Sequence, residues 1–401
     1  KFTGGISDRF FEKKLGVSLK ASHEQKQMPS HRFNGGYSGA YWNFDTDDDG
    51  NVIDSTLLVR TENAALTDHL QTRRRTNGSL IMDFRNNWWE AKFFNLLSIK
   101  NDDVLSRQFR YLFNPQGTPA NFNSSVNETL WRTMTRTHTL QNSFRFGSSK
   151  LDINLSTTYA ERLQDDQGFP FVESNDYNLD QNWLVYRQPS EAVERVGAED
   201  SLKIEDSYLQ RMDRGELSLV DESYDARLDY ELSYSFGPVN GKLQLGGKYH
   251  QLTRTSNGTS TFYNFEWGGS VARRQAFISE NPWISTNIGA QRGISAHNFI
   301  DENYNPGELL NGRYQAPWSG DIDLLTGLQE EWVKDPDHLY FVRGVESYVR
   351  DYEATERLYA GYIMTEINIG SKLMILPGDS YERNETENFA YHIKNNDGQT
   401  G

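Results

Sequence analysis

The clearest pattern in the chain is a long alternation of apolar and polar residues between Ser223 and Phe236. The apolar residues occupy the even positions: Tyr224, Ala226, Leu228, Tyr230, Leu232, Tyr234 and Phe236. The odd positions are polar: Asp225, Arg227, Asp229, Glu231, Ser233 and Ser235. Neighbouring side chains of a β-strand point to opposite faces, so this pattern predicts a strand with one apolar and one polar face. At roughly 3.3 Å per residue the strand is about 40 Å long, enough to cross a bilayer when tilted.

Several other segments show the same period of two and predict further strands. They are 15–21, 80–84, 151–159, 243–249, 355–370 and the segment after it, with 91–100 and 131–146 showing the pattern less clearly. Together they predict nine or ten strands. Alternation over this many short segments is typical of an all-β protein.

The connections between these strands alternate strictly between short and long. Short turns are predicted near 8–13, 86–90, 147–150, 237–241 and 370–372, and the long connections near 24–69, 101–130, 164–222 and 253–354. A chain of hairpins with every long connection at the same end is typical of an antiparallel transmembrane β-barrel. Within the last long connection, Ser319–Lys334 is predicted to contain a helix capped by Ser319 or Asp321, with Ile322, Leu325, Leu328 and Trp332 on one side.

The composition narrows the classes that fit this pattern. Mean hydropathy is -0.74 and no apolar run approaches eighteen residues, which excludes a membrane-spanning helix. A barrel is not excluded, because only every second residue of its strands faces lipid. The net charge of -15 would repel a phosphate backbone, so we expect no nucleic-acid partner. The chain contains no Cys, so disulfides, Cys-ligated metals and thiol nucleophiles are excluded.

One acidic segment matches the start of a calcium-binding loop. Asp45, Asp47 and Asp49 occupy positions 1, 3 and 5, Gly50 occupies position 6, and the carbonyl of Asn51 falls at position 7. Carboxylates at this spacing converge on one hard cation, and the glycine permits the sharp turn. Position 12 is Thr56 instead of the usual Glu, and Asp54 is a candidate substitute. The alternative is a solvated acidic turn without a cation.

Aromatic residues in the long connections are candidates for stacking on a sugar or an aromatic ligand. The candidate substrate-binding residues are Trp42, Trp183, Trp267 and Trp283. Loops of this length also need small cores of their own, so packing is the alternative role for each.

We find no motif that indicates catalysis. The chain has no HExxH, and no GxSxG, P-loop or GxGxxG stands in a suitable context. Acid pairs such as Asp165 with Asp166 have the residue types of glycosidase carboxylates, but an acidic chain contains many such pairs. We therefore expect a protein that is not an enzyme.

The segment Leu358–Glu382 resembles the TonB-dependent receptor family of outer-membrane proteins. A strand ends at Gly370, and a Leu-rich strand then runs into Pro377-Gly378 and the aromatic-acid pair Tyr381-Glu382, which is similar to the mid-barrel hairpin of that family. The segments 304–314 and 10–21 also resemble it. The resemblance implies an outer-membrane receptor of a Gram-negative bacterium that takes up a scarce solute, such as a siderophore or an oligosaccharide, with TonB-coupled energy.

The same resemblance implies a domain organisation and a set of partners. The family has an N-terminal plug domain, an energy-coupling segment and a barrel of twenty-two strands. The chain shows neither plug nor signal peptide, so we interpret residues 1–401 as about ten strands of a larger barrel, closed by polypeptide outside this sequence. The implied partners are outer-membrane lipid, the TonB complex acting through the plug, the solute, and a surface lipoprotein. Calcium is the one cofactor that the motifs suggest.

Two other classes of function remain open at this stage. A passive outer-membrane porin would share the barrel but lack the plug and the energy coupling. A secreted β-rich carbohydrate-binding protein would share the aromatic-rich strands but would be soluble without detergent.

Overall fold

The structure is a computed structural model. It describes residues 1–37, 41–113, 121–173, 183–198, 204–265, 270–284, 293–305, 308–316, 318–334, 347–348 and 350–391. The strands are β1 (Phe2–Phe10), β2 (Leu15–Gln27), β3 (Ser30–Tyr37), β4 (Tyr41–Thr46), β5 (Val52–Leu58), β6 (Thr61–Arg85), β7 (Trp89–Leu112), β8 (Asn121–Phe146), β9 (Ser149–Glu173), β10 (Ser207–Leu209), β11 (Arg211–Phe236), β12 (Val239–Asn264), β13 (Ile294–Ser295), β14 (Glu308–Leu309), β15 (Tyr314–Gln315), β16 (Tyr352–Ile369), β17 (Leu373–Ile375) and β18 (Gly378–Ala390). The helices are α1 (Pro189–Ala198), α2 (Ser270–Glu280) and α3 (Ile322–Lys334), with short 3₁₀ helices at Ile204–Asp206 and Ala296–Phe299.

The chain is all-β, and its main sheet is a meander of antiparallel strands. The order across the sheet is β1, β2, β6, β7, β8, β9, β11, β12, β16 and then β17, with β18 also on β16 and β3 continuing β2 along β6. Neighbouring strands of this sheet are connected either by one of the predicted short turns or by a longer connection. Gly147, Gly237 and Gly370 have φ of 57°, 60° and 58° in the short turns, the left-handed region that favours glycine. The all-β prediction and the short-turn predictions are confirmed.

The strands extend far beyond the predicted lengths, and the predicted long connections were wrong in extent. β7 continues to Leu112 and β8 begins at Asn121, whereas the sequence pattern placed a connection at 101–130. β9 and β11 likewise reach Glu173 and Arg211. Strands of 24 to 26 residues are about 80 Å long at roughly 3.3 Å per residue. The pattern failed there because polar residues such as Asp103, Asp165 and Glu216 occupy positions that alternation would make apolar, so the period of two is interrupted.

The register assigns every side chain of the long strands to one of two faces. The pairings of β6 through β12 run without a bulge, so residues of fixed parity in each strand share a face along its whole length. We call the face that carries Leu228 the Leu228 face, and the opposite face, which carries Arg227, the Arg227 face. The predicted separation of Tyr224, Leu228, Leu232 and Tyr234 from Arg227, Asp229 and Glu231 onto opposite faces agrees with this register.

The sheet is open in the part of the chain that the structure describes. β1 pairs only with β2, and β18 pairs only with β16. No ladder joins β1 to β18 across the described residues, so their outer edges keep unpaired backbone groups.

The long connections fold over the upper end of the sheet as a loop layer, which we define as α1, α2, α3, both 3₁₀ helices and the short strands β10 and β13–β15. The layer buries two apolar clusters against the strand ends. One cluster contains Phe169, Met212, Tyr263, Phe277 and Trp332. The other contains Leu66, Phe109, Tyr111, Phe122 and Leu184. The long-strand residues in both clusters lie on the Leu228 face, so the loop layer covers that face, and neither cluster formed by the described residues lies on the Arg227 face.

The predicted helix in the last connection is confirmed. α3 spans Ile322–Lys334, and the Oδ1 atom of Asp321 accepts a hydrogen bond from the backbone N of Leu324 at 3.1 Å, as an N-cap does. Its residues Leu325 and Trp332 are buried.

Candidate functional site

The lower half of the Leu228 face, next to the short turns, carries a continuous band of exposed apolar side chains. Its exposed members lie on β1, β2, β7, β8, β9, β11, β12, β16 and β18: Ile6, Leu19, Leu97, Leu140, Leu155, Tyr224, Leu228, Leu245, Tyr359, Ile363 and Tyr381. On β6 the band is continued by the half-buried side chains of Leu80 and Met82. Leu228 is 44% exposed and Ile363 is 53% exposed. Soluble monomers rarely expose an apolar patch wider than a few hundred Å². We call this surface the apolar band, and it needs an apolar partner.

Aromatic rings gather at the short-turn end of the apolar band. Phe84 and Trp89 have ring centroids 4.9 Å apart, and Trp89 stacks on Phe144 at 6.2 Å. Trp88 and Phe146 extend this cluster toward solvent and are both more than half exposed. Aromatic rings at the rim of an apolar surface are typical of a membrane interface, where a ring and its polar atoms meet both phases. The alternation of apolar and polar residues did not predict this cluster, although the pair Trp88-Trp89 after the Asn-Asn turn was a signal for it.

The Arg227 face is mostly polar along the long strands, with Phe94, Leu96, Leu217 and Leu219 as apolar exceptions. Arg227 donates from Nε and Nη2 to the two carboxylate oxygens of Asp229, at 2.6 and 3.1 Å, and the hydroxyl of Tyr362 donates to Asp229 Oδ1 at 2.9 Å. The ring of Tyr362 crosses β12 at Gly246, where an added Cβ would lie 2.5 Å from Cε1 of that ring. A glycine is therefore required at this position for β11 and β16 to share one hydrogen-bond network across β12.

Further ion pairs continue across the Arg227 face. Arg73 Nε lies 2.5 Å from Asp102 Oδ1 and Lys100 Nζ lies 3.1 Å from Oδ2 of the same carboxylate, while Arg254 and Asp221 form a bidentate pair at 2.6 and 2.7 Å. Near the short turns a cavity of about 340 Å³ is lined by charged residues, among them Lys92, Arg145, Lys150, Asp152 and Arg227. A face with this density of charged groups requires water or a polar partner.

Above the apolar band, the Leu228 face beneath the loop layer carries mostly polar and charged side chains, with Leu130 and Leu163 among them. A cavity of about 700 Å³ runs across six strands there, with Arg74, Asp103, Arg132, Asp165 and Glu216 among its lining residues. Burial raises the pKa of Asp165, and Glu216 adds to that rise, while Arg214 opposes it. Burial also raises the pKa of Glu128, and Asp323 of α3 adds to it. Acidic side chains therefore crowd together where the loop layer meets the sheet.

A group of polar contacts holds the loop layer against this surface. Arg107 is buried, donates to Ser319 Oγ and Asp301 Oδ2 at 3.0 Å each, and lies 4.4 Å from the ring centroid of Tyr304. The hydroxyl of Tyr304 lies 3.3 Å from Asp68 Oδ2. Burial, followed by the neighbouring Asp68 carboxylate, raises the pKa of Tyr304, so the hydroxyl stays a donor.

The calcium motif lies in the turn of the β4–β5 hairpin. Asp47 Oδ1 accepts hydrogen bonds from the backbone N of Asp49 at 3.0 Å and of Asn51 at 2.7 Å, and the carbonyl of Asn51 accepts from the backbone N of Asp47 at 2.9 Å. These bonds, the side chain of Asn51 first, lower the pKa of Asp47. Asp45 pairs with Asp54 across the hairpin. Among the residues that the structure describes, no three acidic or His groups are grouped to hold a metal, and calcium binding stays a prediction.

The structure does not bring the four candidate tryptophans together. Trp42 is exposed in the β4–β5 hairpin, and Trp183 packs on the second apolar cluster with Arg195 over its ring. Trp283 is half exposed with its ring edge on Phe299. Trp267 lies outside the described residues. The packing role fits Trp183, and a substrate role for the set remains a prediction.

Comparison with family models, curated proteins and solved structures found no match for this chain. Across the described ranges, no helix is both long enough and apolar enough to span a bilayer.

Proposed function

We propose that this chain forms part of the wall of an outer-membrane β-barrel of the TonB-dependent receptor type, which imports a scarce solute. The observation that carries the proposal is the apolar band, which extends from β1 to β18 and has a face rich in charged residues behind it. Lipid is the partner that an apolar band with an aromatic rim fits best, and a water-filled or plugged interior fits the Arg227 face.

The length of the strands supports a receptor over a passive porin. Strands of about 80 Å reach far beyond the roughly 25 Å apolar zone of an outer membrane. The extra length carries a loop layer with two apolar clusters, which is a substantial structure for contact with a solute or partner protein. The TonB complex, a plug domain and a surface lipoprotein enter this proposal through the family resemblance of Leu358–Glu382.

Single cysteines test the orientation directly, because the chain contains no Cys. Leu155→Cys on the Leu228 face and Ser156→Cys on the opposite face are adjacent and form a matched pair. Each variant would carry a fluorescent label in outer-membrane vesicles with nitroxide-labelled lipids. We expect strong quenching at 155 and little at 156. Equal quenching at both positions would refute a lipid-facing apolar band.

Import and passive diffusion are separated by energy dependence. Uptake of labelled siderophores and oligosaccharides would be measured in hosts with and without the TonB complex. We expect uptake that requires the complex. Uptake that continues unchanged without it would favour the porin, and a chain that stays in solution without detergent would favour the secreted carbohydrate-binding protein.

A further inference from the structure

The apolar band contains a groove large enough to seat part of a hydrocarbon chain. The groove has a volume of about 340 Å³. Side chains of the Leu228 face line it: Phe93, His138, Leu140, Leu155, Thr157, Tyr224, Ala226 and Tyr249. The small side chains of Ala226 and Thr157 leave room between the larger rings. The apolar band therefore has a distinct groove at this place, which a uniformly packed lipid-facing surface would lack.

A guanidinium lies directly above this groove. On the same face of β8, Arg136 is the next outward residue after His138, and it lies 4.6 Å from the ring centroid of Tyr159. The ring contact uses one flat face of the guanidinium. The N–H donors point outward in the plane of the group, so they can still bind an anion. Among the described residues, Arg136 forms no ion pair.

A second cation follows four residues farther along β8. Arg132 is exposed on the same face, about 13 Å from Arg136 at roughly 3.3 Å per residue, and it lines the polar cavity beneath the loop layer. It forms no ion pair within the described part of the chain, whereas Arg74 and Arg214 in the same region pair with Asp103 and Glu216. Two guanidiniums therefore stand at the upper border of the apolar band without a carboxylate partner.

The neighbouring acidic groups restrict the ligand further. Glu161 and Glu222 lie on the same face near Tyr159, and Asp165 and Glu216 line the polar cavity. Carboxylates repel a bare phosphate surface but accept hydrogen bonds from sugar hydroxyls. A ligand with phosphates for the arginines, hydroxyls for the acids and an acyl chain for the groove satisfies all three surfaces.

We propose that this surface binds a phosphorylated glycolipid of the outer leaflet, with an acyl chain in the groove and phosphate groups on Arg136 and Arg132. The inference rests on the proposed membrane orientation, which places the border of the apolar band below the loop layer at headgroup level. Guanidinium pairs bind phosphate with bidentate geometry, and an aromatic ring beneath one of them holds it in place.

The test measures lipid retention by native mass spectrometry on the full-length receptor that contains this chain, purified in detergent. The probes are a bis-phosphorylated glucosamine disaccharide lipid, the same lipid without phosphates, and phosphatidylglycerol. We expect the phosphorylated glycolipid to be retained most tightly. Arg136→Gln and Arg132→Gln should each weaken retention about tenfold, because each removes a phosphate contact. A tenfold change corresponds to about 1.4 kcal/mol of binding free energy. Ala226→Leu should weaken it by filling the groove.

Arg162→Gln is the matched control. Arg162 also lies over an aromatic ring, that of Trp131 at 4.0 Å, but on the Arg227 face of the same hairpin. We expect its retention to equal that of the unchanged receptor. Equal binding of the phosphorylated and dephosphorylated lipids would overturn the phosphate contacts, and a preference for phosphatidylglycerol would overturn the sugar contacts. Equal losses in Arg162→Gln and Arg136→Gln would overturn the site.

Outer-membrane fractionation of the unchanged receptor separates this inference from the proposed function. A receptor found in the outer membrane that retains every probe equally would overturn the glycolipid site alone. A receptor absent from the outer membrane would overturn the proposed function as well.

Discussion

At the scale of single residues, two adjacent glycines of β12 serve opposite faces and differ in how much room they leave. A Cβ on Gly246 would lie 2.5 Å from the Tyr362 ring and 2.9 Å from the backbone O of Leu228. A Cβ on Gly247 would meet its nearest atom, the backbone O of Ala360, at an ordinary 3.6 Å. The sequence shows both as glycines in one alternating strand. Only the partner strands reveal which of them the fold requires.

Gly246→Ala should destabilise the folded chain, whereas Gly247→Ala should be close to neutral. The added methyl must displace Tyr362 and so break its hydrogen bond to Asp229, and overpacking of this kind costs about 1–3 kcal/mol. Urea unfolding of both variants in lipid vesicles measures the difference. Equal stability of the two variants would show that the Tyr362 ring moves aside without cost.

Leu228→Arg should cost about 2–4 kcal/mol, the range for a cation placed on the lipid face near the bilayer midplane. Leu228 lies within the apolar band, so in the proposed membrane orientation its replacement would put charge into hydrocarbon. Ser218→Arg is the matched control, since it lies on the same face of the same strand but above the band, in the polar cavity. Unfolding in vesicles would compare them. A similar cost at both positions would contradict a membrane boundary between them.

At the scale of elements, the sequence predicted the order of strands and their short turns well and their lengths poorly. Alternation is visible only where one face meets an apolar surface and the other a polar one, as at Leu228 and Arg227. Above the band, segments such as 164–168 and 257–259 are polar or small on both faces. Their strand pairing depends on backbone hydrogen bonds to neighbours far away in sequence, which no local pattern encodes.

The loop layer was predictable only in part. α3 was predicted because its cap and its apolar side lie within one short segment. The contacts that hold the layer down were not, because Arg107 meets Ser319 and Asp301 across about two hundred residues of chain. The candidate tryptophans illustrate the same limit, since composition alone does not tell whether Trp183 meets a ligand or a cluster of its own loop.

The junction between α3 and β8 should respond to pH through Glu128. Its pKa is raised by burial and then by acidic neighbours, so the folded chain binds this proton more tightly than the unfolded chain. The stability from protonation is present below the ordinary pKa of a Glu and is lost as pH rises through the raised value. Glu128→Gln should therefore stabilise the loop layer at pH 7, by less than about 1 kcal/mol after solvent screening, and should have little effect near pH 4.

Tryptophan fluorescence during thermal unfolding would measure this effect, because Trp332 of α3 is buried in the loop layer against Tyr263 of β12 and Phe277 of α2. Glu222→Gln, on the same face but lower on β11, is the control and should not change the loop layer. The same gain from Glu128→Gln at both pH values would rule out the lost charge as its cause.

At the scale of the whole molecule, the two faces of the sheet require different surroundings and the two edges require partners. The apolar band extends to both edge strands, with Ile6 on β1 and Tyr381 on β18. An edge strand in hydrocarbon leaves backbone N–H and C=O groups without hydrogen bonds, at several kcal/mol each. An open sheet with this band cannot be stable in a membrane by itself.

We therefore expect the outer edges of β1 and β18 to be hydrogen-bonded to further strands in the membrane-embedded protein. In an antiparallel strand, alternate backbone amides point to each side, so half of the β18 amides already pair with β16. Hydrogen exchange should show the other half to be protected in the intact receptor in lipid and open in the isolated 401-residue chain. Rapid exchange of those outward amides in the intact receptor, with the β16-paired amides protected, would mean that the sheet keeps a free edge. The barrel would then have to be abandoned in favour of an open sheet whose apolar band is covered by another protein.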